Sequence, residues 1–309
     1  MRILLHRADG NVAPWIAGFA HALPRADVVV WQEYTTITPC DYAVLFSPPP
    51  AMLADLVHVK AIFITGAGVD GVARVAGMLP DVPLIRLNDA GMAIQMAEYV
   101  AYAVLRYFRR FDEYEAQARR GLWRQLPQFS KDEFSIGVMG LGVMGTRVLE
   151  ALKPFGFPLR GWSRTPKQLG GVTTFAGAES MDDFLRGTRV LVCLLPLTSA
   201  TTNLLDRARL ALLPQGAYLI NVGRGAQLVD PDLLVLIGSG HIAGATLDVC
   251  RNEPLPAPHP FWDEPRVTLT PHMAALTLPH ESALQMAAKI EALERGELVA
   301  DIVDRGHGY

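Results

Sequence analysis

Gly140, Gly142 and Gly145 stand in the spacing G-x-G-x-x-G, and their neighbours give that spacing a chemical meaning. Ser135-Ile136-Gly137-Val138-Met139 reads as a strand running into the turn, and Thr146 through Leu152 reads as a helix leaving it. In such a turn the first glycine permits the sharp reversal, the second lets the backbone approach a pyrophosphate, and the third lets the helix pack closely on the strand. The unpaired N–H groups of the helix N-terminus then face the phosphates. A dinucleotide is therefore expected over Gly140, Leu141, Gly142, Val143, Met144 and Gly145. The next strand, Leu159–Trp162, ends where an NAD-selective protein places a carboxylate on the ribose. Here Ser163, Arg164, Thr165 and Lys167 follow. With no carboxylate to repel a 2′-phosphate and with cations and hydroxyls to bind one, NADP(H) is expected to be preferred, NAD(H) being the lesser partner.

A second set of reactive residues lies downstream. Arg224, in Asn221-Val222-Gly223-Arg224-Gly225, follows one strand candidate; Asp248 ends another; Glu253-Pro254 comes in the loop after it; and His272 closes Thr270-Pro271-His272. In a doubly wound sheet the ligand crevice lies at the carboxyl ends of the strands, which predicts that all four share one rim. The chemistry they fit is reduction of a 2-keto acid. Arg224 supplies a planar fork for carboxylate and carbonyl oxygens. His272 supplies a proton near neutral pH to the developing alkoxide. Glu253 beside it is expected to orient the imidazole and raise its pKa.

The elements that must position these groups alternate from end to end. Strands are expected at Arg2–His6, Asp27–Trp31, Tyr42–Phe46, Lys60–Thr65, Leu84–Leu87, Ser135–Met139, Leu159–Trp162, Val190–Leu194, Ala217–Asn221, Gly244–Val249 and Val267–Thr270, with helical patterns between them. This predicts an α/β protein of two doubly wound, parallel-sheet, Rossmann-like domains. Met92 to about Ala118 reads as one long helix started by Asn88-Asp89, buried between the domains at its apolar beginning and emerging to solvent at its charged end.

The bulk properties narrow the class. The chain has 309 residues, enough for two cores, with 50% hydrophobic and 19% charged residues. A net charge of −3 gives no reason to expect nucleic acid as partner. Cys40, Cys193 and Cys250 are few and scattered, which suggests neither a disulfide framework nor a metal cluster. No apolar run has the length of a membrane span, and the first residues read as a strand rather than a signal peptide. A cytoplasmic protein is expected.

The full set of motifs resembles the D-isomer-specific 2-hydroxyacid dehydrogenase family. It comprises Gly66-Ala67-Gly68-Val69-Asp70, the Gly140–Gly145 turn, Leu195-Pro196-Leu197-Thr198, the Arg224 segment, Asp248, Glu253-Pro254 and Pro271-His272, and it spans the chain. Trp162-Ser163-Arg164-Thr165, Phe108-Arg109-Arg110-Phe111-Asp112 and the tail from Val303 to Tyr309 are most similar to its glyoxylate/hydroxypyruvate reductase A branch. The resemblance implies catalysis by Arg224, Glu253 and His272, with small 2-keto acids such as glyoxylate and hydroxypyruvate as substrates. It implies substrate contacts from Ala67, Gly68 and Val69, helped by Arg224, with Phe46 and Met92 bounding the pocket. Leu195, Pro196, Thr198, Val222, Gly223 and Asp248 would border the cofactor. Phe46 stands where relatives of that branch carry a tryptophan, which alters the pocket's shape. The resemblance further implies a homodimer and a discontinuous substrate domain, 1–95 plus 276–309, around an NAD(P)-binding domain, 96–275. The same architecture also serves as an NAD(H)-responsive corepressor, the alternative reading, and another 2-hydroxy acid remains a second alternative; the first would bind the dinucleotide without turnover.

Overall fold

The computed structural model describes residues 1–33, 39–66, 68 and 76–304. The chain divides into two compact units, one of Met1–Met92 with Thr277–Tyr309 and one of Ala93–Leu276.

The first unit is built on β1 (Arg2–Arg7), β2 (Asp27–Val30), β3 (Tyr42–Phe46), β4 (Ala61–Ile64) and β5 (Leu84–Arg86), with α1 (Ala13–Ala22) crossing between the first two. The order β2-β1-β3-β4-β5 is parallel throughout. The central strands are continuous apolar runs, Tyr-Ala-Val-Leu-Phe and Ala-Ile-Phe-Ile, as expected for strands covered on both faces.

The second unit opens with α2 (Met92–Phe108) and α3 (Phe111–Arg119). Its sheet follows: β6 (Ile136–Met139), α4 (Val143–Leu152), β7 (Leu159–Ser163), β8 (Thr173–Ala176), α5 (Met181–Arg186), β9 (Val190–Cys193), α6 (Arg207–Leu210), β10 (Ala217–Asn221), α7 (Asp230–Gly238), β11 (Ile242–Leu247) and β12 (Val267–Leu269). The seven strands run parallel in the order β12-β11-β10-β9-β6-β7-β8. The direction of winding reverses between β6 and β9, so the crevice that such a sheet offers a ligand opens beyond Met139 and Cys193. The chain then returns to the first unit as α8 (Pro279–Glu294), which lies against α1.

The doubly wound α/β class is as expected, and each expected strand is present with ends shifted by a few residues. One local expectation is corrected. The long helix is two helices, because Arg110 adopts a left-handed backbone (φ 58°) between them. Its guanidinium holds the bend, donating to Glu113 at 2.6 and 2.9 Å and to the Pro127 carbonyl at 2.7 Å. α2 begins after a turn in which Asp89, Ala90 and Gly91 all have positive φ, and the Met92 N–H donates to the Asp89 carbonyl at 2.9 Å. The buried stripe of α2 (Met96, Ala97, Val100, Ala103, Val104, Tyr107) continues to its last turn and packs with Ile136, Val138 and Ile220 inside the second unit. Strand β8 was not expected from the sequence. No helix among the described residues is long and apolar enough to cross a membrane.

Candidate active site

The glycine turn forms for reasons visible in its packing. Gly140 has φ 102°, and a Cβ there would lie 2.7 Å from the Leu194 carbonyl oxygen. A Cβ on Gly145 would come within 1.8 Å of the Gly140 carbonyl oxygen, so this glycine is what allows α4 to start against β6. Gly142 is different: a Cβ there would meet no atom within 4 Å. Nothing among the described residues requires a glycine at that point, and the space it leaves open is of the kind through which a backbone can approach a pyrophosphate. Gly142 caps α4 without a side-chain hydrogen bond, and the first turn carries no acid, which suits an anion at the helix N-terminus. The residues present fit a dinucleotide.

Arg224 follows β10 by three residues and is half-buried. Its backbone is held by Gln227, whose side chain is fully buried. The Gln227 Oε1 accepts from the Arg224 N–H at 2.9 Å, and its Nε2 donates to the carbonyls of Leu195 (2.8 Å) and Pro196 (3.1 Å). Asn221, also buried, accepts from the Gly223 N–H at 3.2 Å and donates to the Arg224 carbonyl at 3.3 Å. At Gly225 a Cβ would lie 1.9 Å from the Cys250 carbonyl carbon, so the absent side chain lets the Arg224 loop touch the loop that carries Glu253.

Nδ1 of His272 lies 2.7 Å from Oε2 of Glu253, and Oε1 of the same carboxylate accepts from the Cys250 N–H at 2.9 Å. Burial works to raise the Glu253 pKa, but the hydrogen bond from His272 and the one from Cys250 outweigh it and hold the carboxyl below its ordinary value. Burial and then the nearby Glu253 charge push the Cys250 thiol up to about 11, which disfavours its thiolate. His272 has a left-handed backbone (φ 52°), and its N–H donates to the carbonyls of Asp248 (2.8 Å) and Thr270 (3.1 Å). The Asp248 carboxylate is 2% exposed and accepts from Thr270 Oγ1 (2.6 Å), the Met273 N–H (2.8 Å) and the Ala274 N–H (2.9 Å). Arg224, Asp248, Glu253 and His272 thus all sit on loops at the carboxyl ends of β10, β11 and β12, at one rim of the sheet.

The profile of the D-isomer specific 2-hydroxyacid dehydrogenase NAD binding domain matches residues 101–274. Over the full length of both chains, the protein is 46% identical to the glyoxylate/hydroxypyruvate reductase A of Yersinia enterocolitica and 48% identical to that of Serratia proteamaculans. The chain belongs to the D-isomer specific 2-hydroxyacid dehydrogenase family. Its fold matches two solved members of similar kind. One is a D-isomer specific 2-hydroxyacid dehydrogenase from Xanthobacter autotrophicus in complex with NADPH and MES (TM-score 0.95, 38% identity, covering 100% of this chain and 99% of that one). The other is an NADPH-dependent glyoxylate/hydroxypyruvate reductase from Sinorhizobium meliloti in complex with NADP and sulfate (TM-score 0.93, 33% identity, covering 100% of both).

The remaining expected residues of this family member fall as follows. Ser163, the last residue of β7, is 8% exposed, and its hydroxyl donates to the Thr165 carbonyl at 2.7 Å. It therefore shapes the loop, while Arg164, Thr165 and Lys167 stand exposed. Leu141 is buried over Gly161, and Val143 and Met144 open the first turn of α4. Leu195, Val222 and Gly223 are buried behind the crevice edge, Pro196 is exposed, and Thr198 is half-buried with its N–H donating to Thr201 Oγ1 at 2.8 Å. In the first unit, Phe46 ends β3 and is 36% exposed, with the Arg7 guanidinium 4.9 Å from its ring centre. Met92 is 2% exposed, its sulfur 3.9 Å from Thr277 Oγ1. Gly68 is half-buried, and Ala67 and Val69 lie outside the described residues. Sequence reasoning missed Asn221 and Gln227, which hold Arg224, and Thr270, which holds Asp248. The three-residue spacing of Arg224 and Gln227 was the only readable signal, since a glutamine at that offset can reach back to accept the Arg224 N–H.

Proposed function

We propose that the protein is an NADPH-dependent reductase of small 2-keto acids, converting glyoxylate to glycolate and hydroxypyruvate to glycerate. The observation that carries the reading is the 2.7 Å pair of His272 and Glu253 on the same rim as Arg224, beside a glycine turn fit for a dinucleotide. NADPH, when bound, supplies the hydride that adds to the keto carbon. Gly140, Leu141, Gly142, Val143, Met144 and Gly145 would hold its pyrophosphate; Ser163, Arg164, Thr165 and Lys167 its 2′-phosphate; and Leu195, Pro196, Thr198, Val222, Gly223 and Asp248 its nicotinamide half.

The protein's own work is binding and proton delivery. Arg224 pairs with the substrate carboxylate and polarises the carbonyl oxygen, which favours the developing alkoxide over the ground state. Glu253 takes the Nδ1 proton of His272 as a hydrogen bond, which leaves Nε2 to face the substrate as the donor. One proton passes from Nε2 to the carbonyl oxygen as the hydride reaches the carbon, and solvent reprotonates the ring. Gly68, Ala67, Val69, Phe46 and Met92 are assigned to the substrate's remaining contacts through the family. The 96–275 segment is read as the cofactor domain and 1–95 with 276–309 as the substrate domain. A cytoplasmic homodimer completes the proposal.

The test is loss of NADPH absorbance with a panel of 2-keto acids, scored by kcat/KM. Glyoxylate and hydroxypyruvate should lead. Tight NADPH binding with no turnover of any member would instead place the chain with dinucleotide sensors, and a clear preference for phenylpyruvate would overturn the substrate assignment.

A further inference from the structure

The segment Thr270–Leu276 carries His272, and α2 holds it at both ends. Gln95 and Tyr99 are one turn apart on α2, hence on one face. Gln95 makes a reciprocal pair with Leu276, Nε2 donating to its carbonyl at 3.0 Å and Oε1 accepting from its N–H at 3.3 Å. The Tyr99 hydroxyl lies 2.5 Å from Thr270 Oγ1. The direction of that bond follows from donor counting. Thr270 has one hydroxyl proton, and it goes to Asp248 Oδ1 at 2.6 Å, since a carboxylate only accepts. Tyr99 must therefore donate to Thr270. Burial pushes the phenol up to about 12, so it remains a donor at any working pH.

The three groups form a directed chain, from the Tyr99 hydroxyl through the Thr270 hydroxyl to the Asp248 carboxylate. The charge-assisted Thr270–Asp248 link polarises the Tyr99–Thr270 link behind it. The end of the chain is the grip on the His272 turn: the Asp248 carboxylate takes the N–H groups of Met273 and Ala274, and the Asp248 carbonyl takes that of His272. That grip has something to resist. His272 sits in the left-handed region, which a residue with a side chain occupies only when its surroundings over-determine it.

We propose that Tyr99 and Thr270, with Gln95, are positioning residues for the proton donor: Tyr99 and Thr270 fix the Asp248 carboxylate, and through it the left-handed turn that aims the His272 ring, while Gln95 holds the far end of the segment at Leu276. The proposal rests on the reading of His272 as donor. None of the three residues has to touch the substrate. A proton donor displaced by a fraction of an ångström loses rate in the chemical step while binding is spared.

The experiment compares Tyr99→Phe, Thr270→Val and Thr270→Ser with the unmodified protein in glyoxylate reduction, with NADPH affinity measured separately by fluorescence. Thr270→Val removes the middle of the chain and should lower kcat by about 10- to 100-fold, the scale of a misplaced catalytic group, with the NADPH Kd moved far less because Asp248 is one of many groups assigned to the dinucleotide. Tyr99→Phe removes one oxygen and should lower kcat in the same direction by less. Thr270→Ser keeps the hydroxyl and should restore turnover, a rescue that a loss of methyl packing would not give. Wild-type kcat in both Thr270→Val and Tyr99→Phe overturns the proposal, as does a fall in kcat matched by an equal loss of NADPH affinity. Should Thr270→Val not fold, Tyr99→Phe decides alone, because the ring still fills its place. An unmodified protein inert toward every 2-keto acid sinks the donor reading itself. An active one with His272→Ala dead and these variants unaffected sinks only the positioning role.

Discussion

Glu253 Oε2 is 2.7 Å from His272 Nδ1, while its other oxygen is tied to the Cys250 backbone, so the carboxylate is fixed at both ends and the ring is fixed by the carboxylate. This pair divides the labour of proton transfer. His272→Ala should lower turnover by about 10²–10⁴-fold, with NADPH affinity unchanged, because the glycine turn does not depend on the ring. A His272→Ala protein with near wild-type kcat would remove the donor from the mechanism.

The same pair has a signature in stability. The folded pKa of Glu253 is lowered, so the stability it contributes is present above the unfolded carboxyl value of roughly 4.3 and is lost as pH falls through the folded value. Glu253→Gln should therefore lower Tm by a constant amount from neutral pH down to about pH 5, and the gap to the unmodified protein should close below that. Thermal melts of both proteins across the acid range measure it. A gap that widens toward low pH would mean that the carboxyl is held protonated rather than charged.

Gly142 and Gly145 make opposite predictions three positions apart. Gly145→Ala drives a methyl into the Gly140 carbonyl and should destabilise the fold by about 1–3 kcal/mol or more, the usual range for overpacking. Gly142→Ala puts its methyl into open space, so melting should hardly change while NADPH binding weakens. Paired Tm and Kd measurements separate the two. Equal losses of Tm in both variants would deny that Gly142 is kept small for a ligand.

The contrast shows what a single sequence exposes. Arg224, Glu253 and His272 were legible because each follows a strand, and parallel strands deliver their carboxyl ends to one rim whatever lies between. Thr270 was not legible as a link to Tyr99, which is 171 positions away: a threonine acquires that role only when the helix bearing the tyrosine packs over the sheet. Strand β8 escaped because Thr-Thr-Phe-Ala at a sheet edge lacks the continuous apolar run of a strand buried on both faces. The break at Arg110 carries neither glycine nor proline; the carboxylate of Glu113, the carbonyl of Pro127 and the ring of Phe129, brought close by folding, hold the left-handed arginine.

Arg224 is expected to tolerate no other cation. A lysine places one point charge where a fork meets two oxygens, so Arg224→Lys should raise the KM for glyoxylate and lower kcat together while NADPH binding holds. Gln227, which is fully buried behind the arginine's backbone, should produce a different defect. Gln227→Met removes the side-chain partner of the Arg224 N–H and of the Leu195 carbonyl, at about 1–3 kcal/mol for each group that stays unpaired, while the Pro196 carbonyl keeps the Thr201 hydroxyl. Its Tm should fall with its activity, whereas Arg224→Lys should melt as the unmodified protein does. Equal melting of both variants would remove Gln227 as the support of the arginine.

The proposed reading puts cofactor choice at the end of β7. The 2′-phosphate that distinguishes NADP from NAD carries nearly two negative charges, and a carboxylate at that strand end would repel it. Ser163 gives no such charge and commits its hydroxyl to the Thr165 carbonyl, so the attractive contact falls to the exposed Arg164. Arg164→Ala should raise the NADPH KM with kcat preserved, by a factor equivalent to about 1–3 kcal/mol, the range of a hydrogen bond to a charged group. Salt should narrow the difference, because the contact is solvent-exposed. Ser163→Asp should act more strongly and reverse the preference, since it adds repulsion toward NADPH and offers NADH a partner for its ribose hydroxyls. The measurement is kcat/KM for both dinucleotides in the three proteins. Equal values for NADH and NADPH in the unmodified protein would deny this loop any part in the choice.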